Sequence, residues 1–171
     1  MKKLIALLLA LTLCVSLCAC NTEEEKPDAG LPNPMKTCAS LDEINAAAGT
    51  NIVKPGVMGV SEEKFFTVKT GERTIAEYRF DLNGISYTVR SAAIADQDIS
   101  GYYVDGEPAF GAPTGGVEYA EAEDVKLARF FDLNGQTVIA AKGDIESAIF
   151  EGIVAEMQQM SAANGGENGN G

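Results

Sequence analysis

The chain has 171 residues, with 13 basic and 25 acidic side chains, a formal charge of −12 and no histidine. Without imidazole there is no Ser-His-Asp or Cys-His catalysis and no mixed Cys/His zinc site. The negative charge argues against nucleic acid as a partner, while 46% apolar and 22% charged residues are ordinary for a folded domain.

The first twenty residues, MKKLIALLLALTLCVSLCAC, place two lysines before an apolar run that ends in small residues. Those are the three regions of a secretory signal, and the run from Leu4 to Ala19 is short for a membrane span. Leu17-Cys18-Ala19-Cys20 resembles the bacterial lipobox. The resemblance implies that residues 1–19 are a signal peptide and that Cys20 carries lipid, such as palmitate, as the first mature residue. The expected location is then the outer face of the bacterial cytoplasmic membrane. Cys14 and Cys18 leave with the signal, so Cys38 has no disulfide partner and reads as a small buried hydrophobe. Loss of Lys2 and Lys3 leaves 11 basic against 25 acidic side chains, a balance of −14. Lipid, and not surface charge, must therefore hold the protein at the membrane.

Residues 20–37 carry the lipidated cysteine and a Glu- and Pro-rich flexible tether, which spans about 55 Å when extended. Residues 38–160 form the expected single domain, and the Gly/Asn-rich residues 161–171 an expected disordered tail. Ser40-Leu41-Asp42-Glu43 is a capping box that starts a helix over 41–48, which Gly49 stops. The segment RTIAEYRFDL-NG-ISYTVRSAAI predicts a hairpin through Asn83-Gly84. A two-residue loop sets Leu82 opposite Ile85, Phe80 opposite Tyr87 and Tyr78 opposite Val89, all on one buried face. Glu77, Arg79 and Arg90 fall on the other face, which is expected to be wet or to meet a partner. The pentapeptide FDLNG recurs at 131–135, either as a duplication or as repeated turn chemistry. The same rule sets Phe131 opposite Val138 and Phe130 opposite Ile139, in a hairpin apolar on both faces and hence covered on both. A second helix is expected from Asp144 to Met160, with Ile145, Ile149, Ile153 and Met157 as its stripe, Asp144 as N-cap and Gly152 marking a close contact.

Residues 96–107, DQDISGYYVDGE, fit the calcium-loop pattern D-x-[DN]-x-[DNS]-G-x5-E. Asp96, Asp98 and Ser100 would give side-chain oxygens, Tyr102 its carbonyl and Glu107 a bidentate carboxylate. An EF-hand needs a helix on each side. Here a strand precedes and a Pro/Gly-rich segment follows, so an Asx turn at Asp96 to Asp98, with Gly101 releasing a new strand, explains the same residues without metal. No cofactor other than calcium is suggested.

These elements make an α+β domain, a curved antiparallel sheet of about five to seven strands with a short N-terminal and a longer C-terminal helix packed on it. SLDEINAAAG, SYTVRSAAIADQDISGYY, FFDLNGQTVIAAKGD and the closing helix together resemble small extracytoplasmic lipoproteins of the domain-of-unknown-function 4367 family, with Phe131 where that family often carries Trp. The resemblance covers about residues 38–158 and implies fold and address but no activity. The expected role is a non-catalytic binding or regulatory module, with no catalytic residue and an unidentified protein, peptide or small-ligand partner. The alternatives are a calcium-binding surface domain and, last, a small carboxylate-dependent hydrolase.

Overall fold

Among the described residues, seven strands pair in one open antiparallel sheet, and two helices cover one of its faces. The computed structural model describes residues 34–93, 98–102, 109–122 and 124–165. The elements in chain order are β1 (Met35–Cys38), α1 (Leu41–Ala48), β2 (Val60–Thr70), β3 (Arg73–Leu82), β4 (Ile85–Ala92), β5 (Val117–Ala122), β6 (Val125–Asp132), β7 (Gly135–Lys142) and α2 (Ser147–Gly165). The strand order is β1-β2-β3-β4-β7-β6-β5. The chain meanders through β4, crosses to the far edge, and meanders back until β7 pairs with β4. The α+β expectation holds, with seven strands.

Local chemistry explains the first half of the fold. Ser40 Oγ accepts from the Glu43 amide at 3.2 Å, and Glu43 reaches back to the Ala39 amide at 2.8 Å. Gly49, at φ 67°, ends the helix in the left-handed conformation. In the first hairpin every expected pair is present: Leu82–Ile85, Phe80–Tyr87, Tyr78–Val89, Arg79–Thr88 and Glu77–Arg90. Asn83 and Gly84 both take positive φ, as the favoured two-residue turn requires.

The second FDLNG turns differently. Phe131 pairs with Gln136 and Phe130 with Thr137, two residues away from the expected partners Val138 and Ile139. Leu133 and Asn134 make the turn, and positive φ falls on Gly135 at 128°. Two interactions select this register. Asp132 Oδ1 accepts from the Asn134 amide at 2.7 Å while Oδ2 accepts from Ser161 Oγ of α2. Gly135 also lies so close to β4 that a Cβ would stand 2.1 Å from the Ala92 carbonyl oxygen. Because the slip is two residues, the faces are preserved. The expectation that this hairpin is central holds, since β6 and β7 lie inside the sheet; cover on both sides holds for β7, buried from Gln136 to Ala141, while Phe131 of β6 is 49% exposed.

The helix-covered face carries the main core. Tyr78, Phe80, Tyr87, Val89, Phe130 and Ile139 meet Ile44 and Ala48 of α1 and Phe150, Ile153, Val154 and Met157 of α2. The opposite face has a smaller apolar cluster of Leu127, Val138, Ala140 and Ala92, and Ile99 of the crossover joins it, with Phe110 packed against it. A β-bulge places one extra residue between Ser61 and Lys64 of β2, with Glu62 at φ 52°. It exchanges the faces of the following residues, so Phe65 packs on the core and Lys64 aligns with Arg79 on the opposite face. The bulge also brings Glu63 to the Tyr78 hydroxyl, which donates to it at 2.8 Å. Hydrogen bonding from Lys54 holds the Glu63 carboxyl below its usual range, and burial, followed by Glu63, pushes the Tyr78 hydroxyl far above its ordinary value.

Several boundaries shift. Met35–Thr37, expected in the tether, pair with Phe66–Val68 as an edge strand. Cys38 is half-buried at the end of that strand. Helix α2 begins at Ser147, leaving Asp144 before it, and runs into the expected tail as far as Gly165. A stripe spaced every four residues drifts about 40° per step around a helix. Ile149 accordingly falls off the buried face and is 54% exposed, while Phe150 and Val154 take its place. Gly152 marks no close contact, since nothing lies within 4 Å of a Cβ built there. Substituting Gly152→Ala should therefore stabilise the domain by about 1 kcal/mol. Substituting Gly135→Ala should cost at least about 2 kcal/mol through strain and overlap. Equilibrium urea unfolding of the two variants checks both, and a neutral Gly135→Ala would contradict the register of the second hairpin.

Candidate functional site

Antiparallel pairing lines up same-face side chains in rows across the strands. On the face away from the helices one row is Phe66, Glu77, Arg90 and Val138, and the next is Lys64, Arg79, Thr88 and Ala140. A third row contains Asp81, Ser86 and Lys142. Residues 100–102 rise beside them and close one wall of a cleft of about 670 Å³. Lys64, Arg79, Arg90 and Lys142 contribute four cations to its lining, against Glu62 and Asp81.

Glu77 lies beneath its floor, which Arg79 and Arg90 form. The carboxylate is 0% exposed, accepting from Arg79 Nε on one oxygen at 2.5 Å and from Arg90 Nε on the other at 2.6 Å. A second nitrogen of Arg79 joins the first contact. A buried carboxylate is costly unless paired and hydrogen-bonded, and two guanidinium groups meet that condition here. Glu77 was expected on a wet or partner-facing surface; it lies beneath that surface instead, and the arginines form it. Arg79 remains 41% exposed, with the Phe66 ring 4.9 Å from its guanidinium carbon. Arg90 is 21% exposed and turns inward.

Arg90 also holds the crossover. Its Nη1 donates to the carbonyls of Ser100 at 2.9 Å and Ile99 at 3.3 Å. Gly101, at φ 74°, passes so close that a Cβ there would lie 1.8 Å from Nη1. Asp98 caps the turn, accepting from the Ser100 amide at 3.0 Å and the Ser100 hydroxyl at 2.7 Å. Ser100 Oγ in turn accepts from the Tyr102 amide at 3.1 Å. The Asx turn expected at Asp96–Asp98 begins outside the described residues; an Asx-type turn is present one step later, at Asp98–Ser100.

Of the candidate calcium ligands, Asp98, Ser100 and Tyr102 belong to this turn, and Asp96 and Glu107 lie outside the described residues, as does Cys20. Among the described residues no group of three or more His, Cys, Asp or Glu side chains converges. A guanidinium already occupies the Ile99 and Ser100 carbonyls.

The sequence places Glu77, Arg79 and Arg90 together through hairpin register. Lys64, Asp81, Ser86, Thr88 and Lys142 line the cleft in addition to the residues that the sequence singles out. Asp81, Ser86 and Thr88 follow from the same register arithmetic. Lys64 depends on the bulge in β2, which shows only in the register with β3. Lys142 depends on the long-range pairing of β4 with β7.

A second paired arginine stands nearby on the same face. Arg129 Nε donates to Glu118 at 2.7 Å, and the Arg129 guanidinium carbon lies 4.2 Å from the Phe110 ring. It fixes the segment that returns the chain to β5.

No family model, curated protein or solved structure matches this chain, so its functional reading rests on the cleft and on the N-terminal sequence.

Proposed function

We propose that this protein is a lipid-anchored extracytoplasmic lipoprotein whose domain is a non-catalytic binding module, with the cleft above Glu77 as its ligand site. The address is supported by the signal-like N-terminus and the lipobox-like LCAC ending at Cys20. Among the described residues no helix is long and apolar enough to cross a membrane. Likeness to the domain-of-unknown-function 4367 lipoproteins is part of the same proposal.

One observation carries the binding role: a cleft of about 670 Å³ over a polar floor already fixed by the Glu77, Arg79 and Arg90 contacts. That volume suits a small ligand, and a preordered floor spares the ligand the entropy of arranging it. Binding is favoured over acid–base catalysis because Glu77 and Asp81 are committed to structural hydrogen bonds. Glu77 serves two arginines, and Asp81 Oδ1 accepts from Ser86 at 2.8 Å. Calcium at 96–107 is the weaker reading, because Arg90 sits against the carbonyls of that turn and Asp98 already accepts two hydrogen bonds.

For the address, metabolic labelling with a palmitate analogue should mark the wild-type chain and not Cys20→Ala. Label retained on the variant would contradict lipidation at Cys20. For the module, a fragment screen on the isotope-labelled full chain should move the backbone signals of Lys64, Arg79, Thr88 and Tyr102 together. Hits scattered over the surface, or none, would contradict the cleft as the ligand site.

A further inference from the structure

We infer that the cleft recognises an oxyanion, a carboxylate or phosphoryl group on a small ligand, held by Arg79 and Lys64 with the Thr88 hydroxyl beside them. The inference rests on the cleft being the binding site and adds the chemistry of what enters it.

The three residues come from adjacent strands in direct register, Lys64 opposite Arg79 and Arg79 opposite Thr88. Neighbouring strands stand about 4.8 Å apart, so their side chains present donors to one small group. Arg79 is built to serve it. A guanidinium has five N–H donors, and Glu77 engages only those on Nε and Nη2. Among the described residues Nη1 has no hydrogen-bond partner and Arg79 lines the cleft, while the Phe66 ring and the Glu77 contact hold the guanidinium plane in place. Planar, bidentate donation to carboxylate or phosphate is what a fixed guanidinium does best.

Lys64 supplies the second charge. It has no acid partner among the described residues, in contrast to Lys54 with Glu63 and Lys126 with Glu121. The bulge between Ser61 and Lys64 turns it into the cleft row; in unbroken register it would stand opposite Tyr78 on the core face. Lys142 is drawn toward Asp124 at 3.7 Å, and Arg90 is committed to Glu77 and the Ser100 carbonyl. Those two therefore contribute charge and not direct contact.

The charge balance sets the size of the guest. Glu77 neutralises one of its two arginines, so this floor keeps one positive charge and Lys64 adds another. Glu62 and Asp81 line the same cleft and oppose a bulky polyanion, as does the formal charge of −12 on the whole chain. A single oxyanion on a small ligand fits both limits.

The test titrates the full chain with inorganic phosphate and, separately, with N-acetylalanine as a plain carboxylate, at matched ionic strength. Saturable movement of the Lys64, Arg79 and Thr88 amide signals with either probe is expected, phosphate or carboxylate preference telling which oxyanion is bound. Affinity should fall at least tenfold in Arg79→Gln and in Lys64→Gln, and stay unchanged in Lys126→Gln. Lys64 is exposed, so its variant folds even if loss of Arg79 disturbs the floor. No saturable change with either probe up to about 50 mM, where a millimolar site would be filled, overturns the inference. So does an affinity that Lys64→Gln leaves unaltered. Neutral fragments that occupy the cleft while both anions fail would sink the inference and leave the binding-module reading standing.

Discussion

The Glu77 carboxylate lies fully buried in β3, and guanidinium groups from the same strand and its neighbour close over it. An ion in that position carries a desolvation penalty of several kcal/mol, offset only by good geometry and saturated hydrogen bonding. Both oxygens are engaged, one by Arg79 and the other by Arg90. The arrangement organises everything above it. With Nε on Glu77, Arg90 reaches the Ile99 and Ser100 carbonyls and ties the crossover to the sheet. With Nε on the other oxygen, Arg79 keeps part of its guanidinium in the cleft. A face that would otherwise repel itself becomes a fixed, positively biased surface.

The fold serves this face from behind. Both helices pack on the opposite side, around Tyr78, Phe80, Tyr87, Val89 and Phe130, so that among the described residues no helix covers the polar side. Pairing of β4 with β7 joins the two halves of the sheet and brings Ala140 and Lys142 alongside Thr88 and Ser86. The bulge in β2 supplies Lys64 from the other flank. Three kinds of local irregularity thus converge on one site: a bulge, a left-handed Gly101 and a buried charge.

What the sequence discloses follows the range of the interactions involved. The α1 capping box and the Asn83-Gly84 hairpin are set within ten residues or so, and both were legible down to individual pairs. The same-face grouping of Glu77, Arg79 and Arg90 came with the hairpin. The depth of Glu77 did not, because it depends on how the arginines fold over it. The second FDLNG misleads for a long-range reason: Asp132 answers to Ser161 and Gly135 to the Ala92 backbone. Ile149 misleads because a four-residue spacing drifts around the helix and leaves the buried face there. The run at 96–107 spells a calcium-loop pattern, but the tie from Arg90 to the Ile99 and Ser100 carbonyls within it depends on side-chain geometry that no spacing announces. Lys64 was hidden by a bulge that no hydrophobic alternation announces.

The central claim is that Glu77 and Arg90 act as one unit beneath the cleft. A double-mutant cycle on stability, using Glu77→Gln, Arg90→Gln and the double variant, measures that directly. Each single change strands a partner, so each should destabilise by about 3 kcal/mol, with the double variant costing far less than their sum. A coupling of about 2 kcal/mol or more is the predicted result. Strictly additive losses would show that the buried carboxylate and the arginine do not depend on each other, and the account of the cleft would fail.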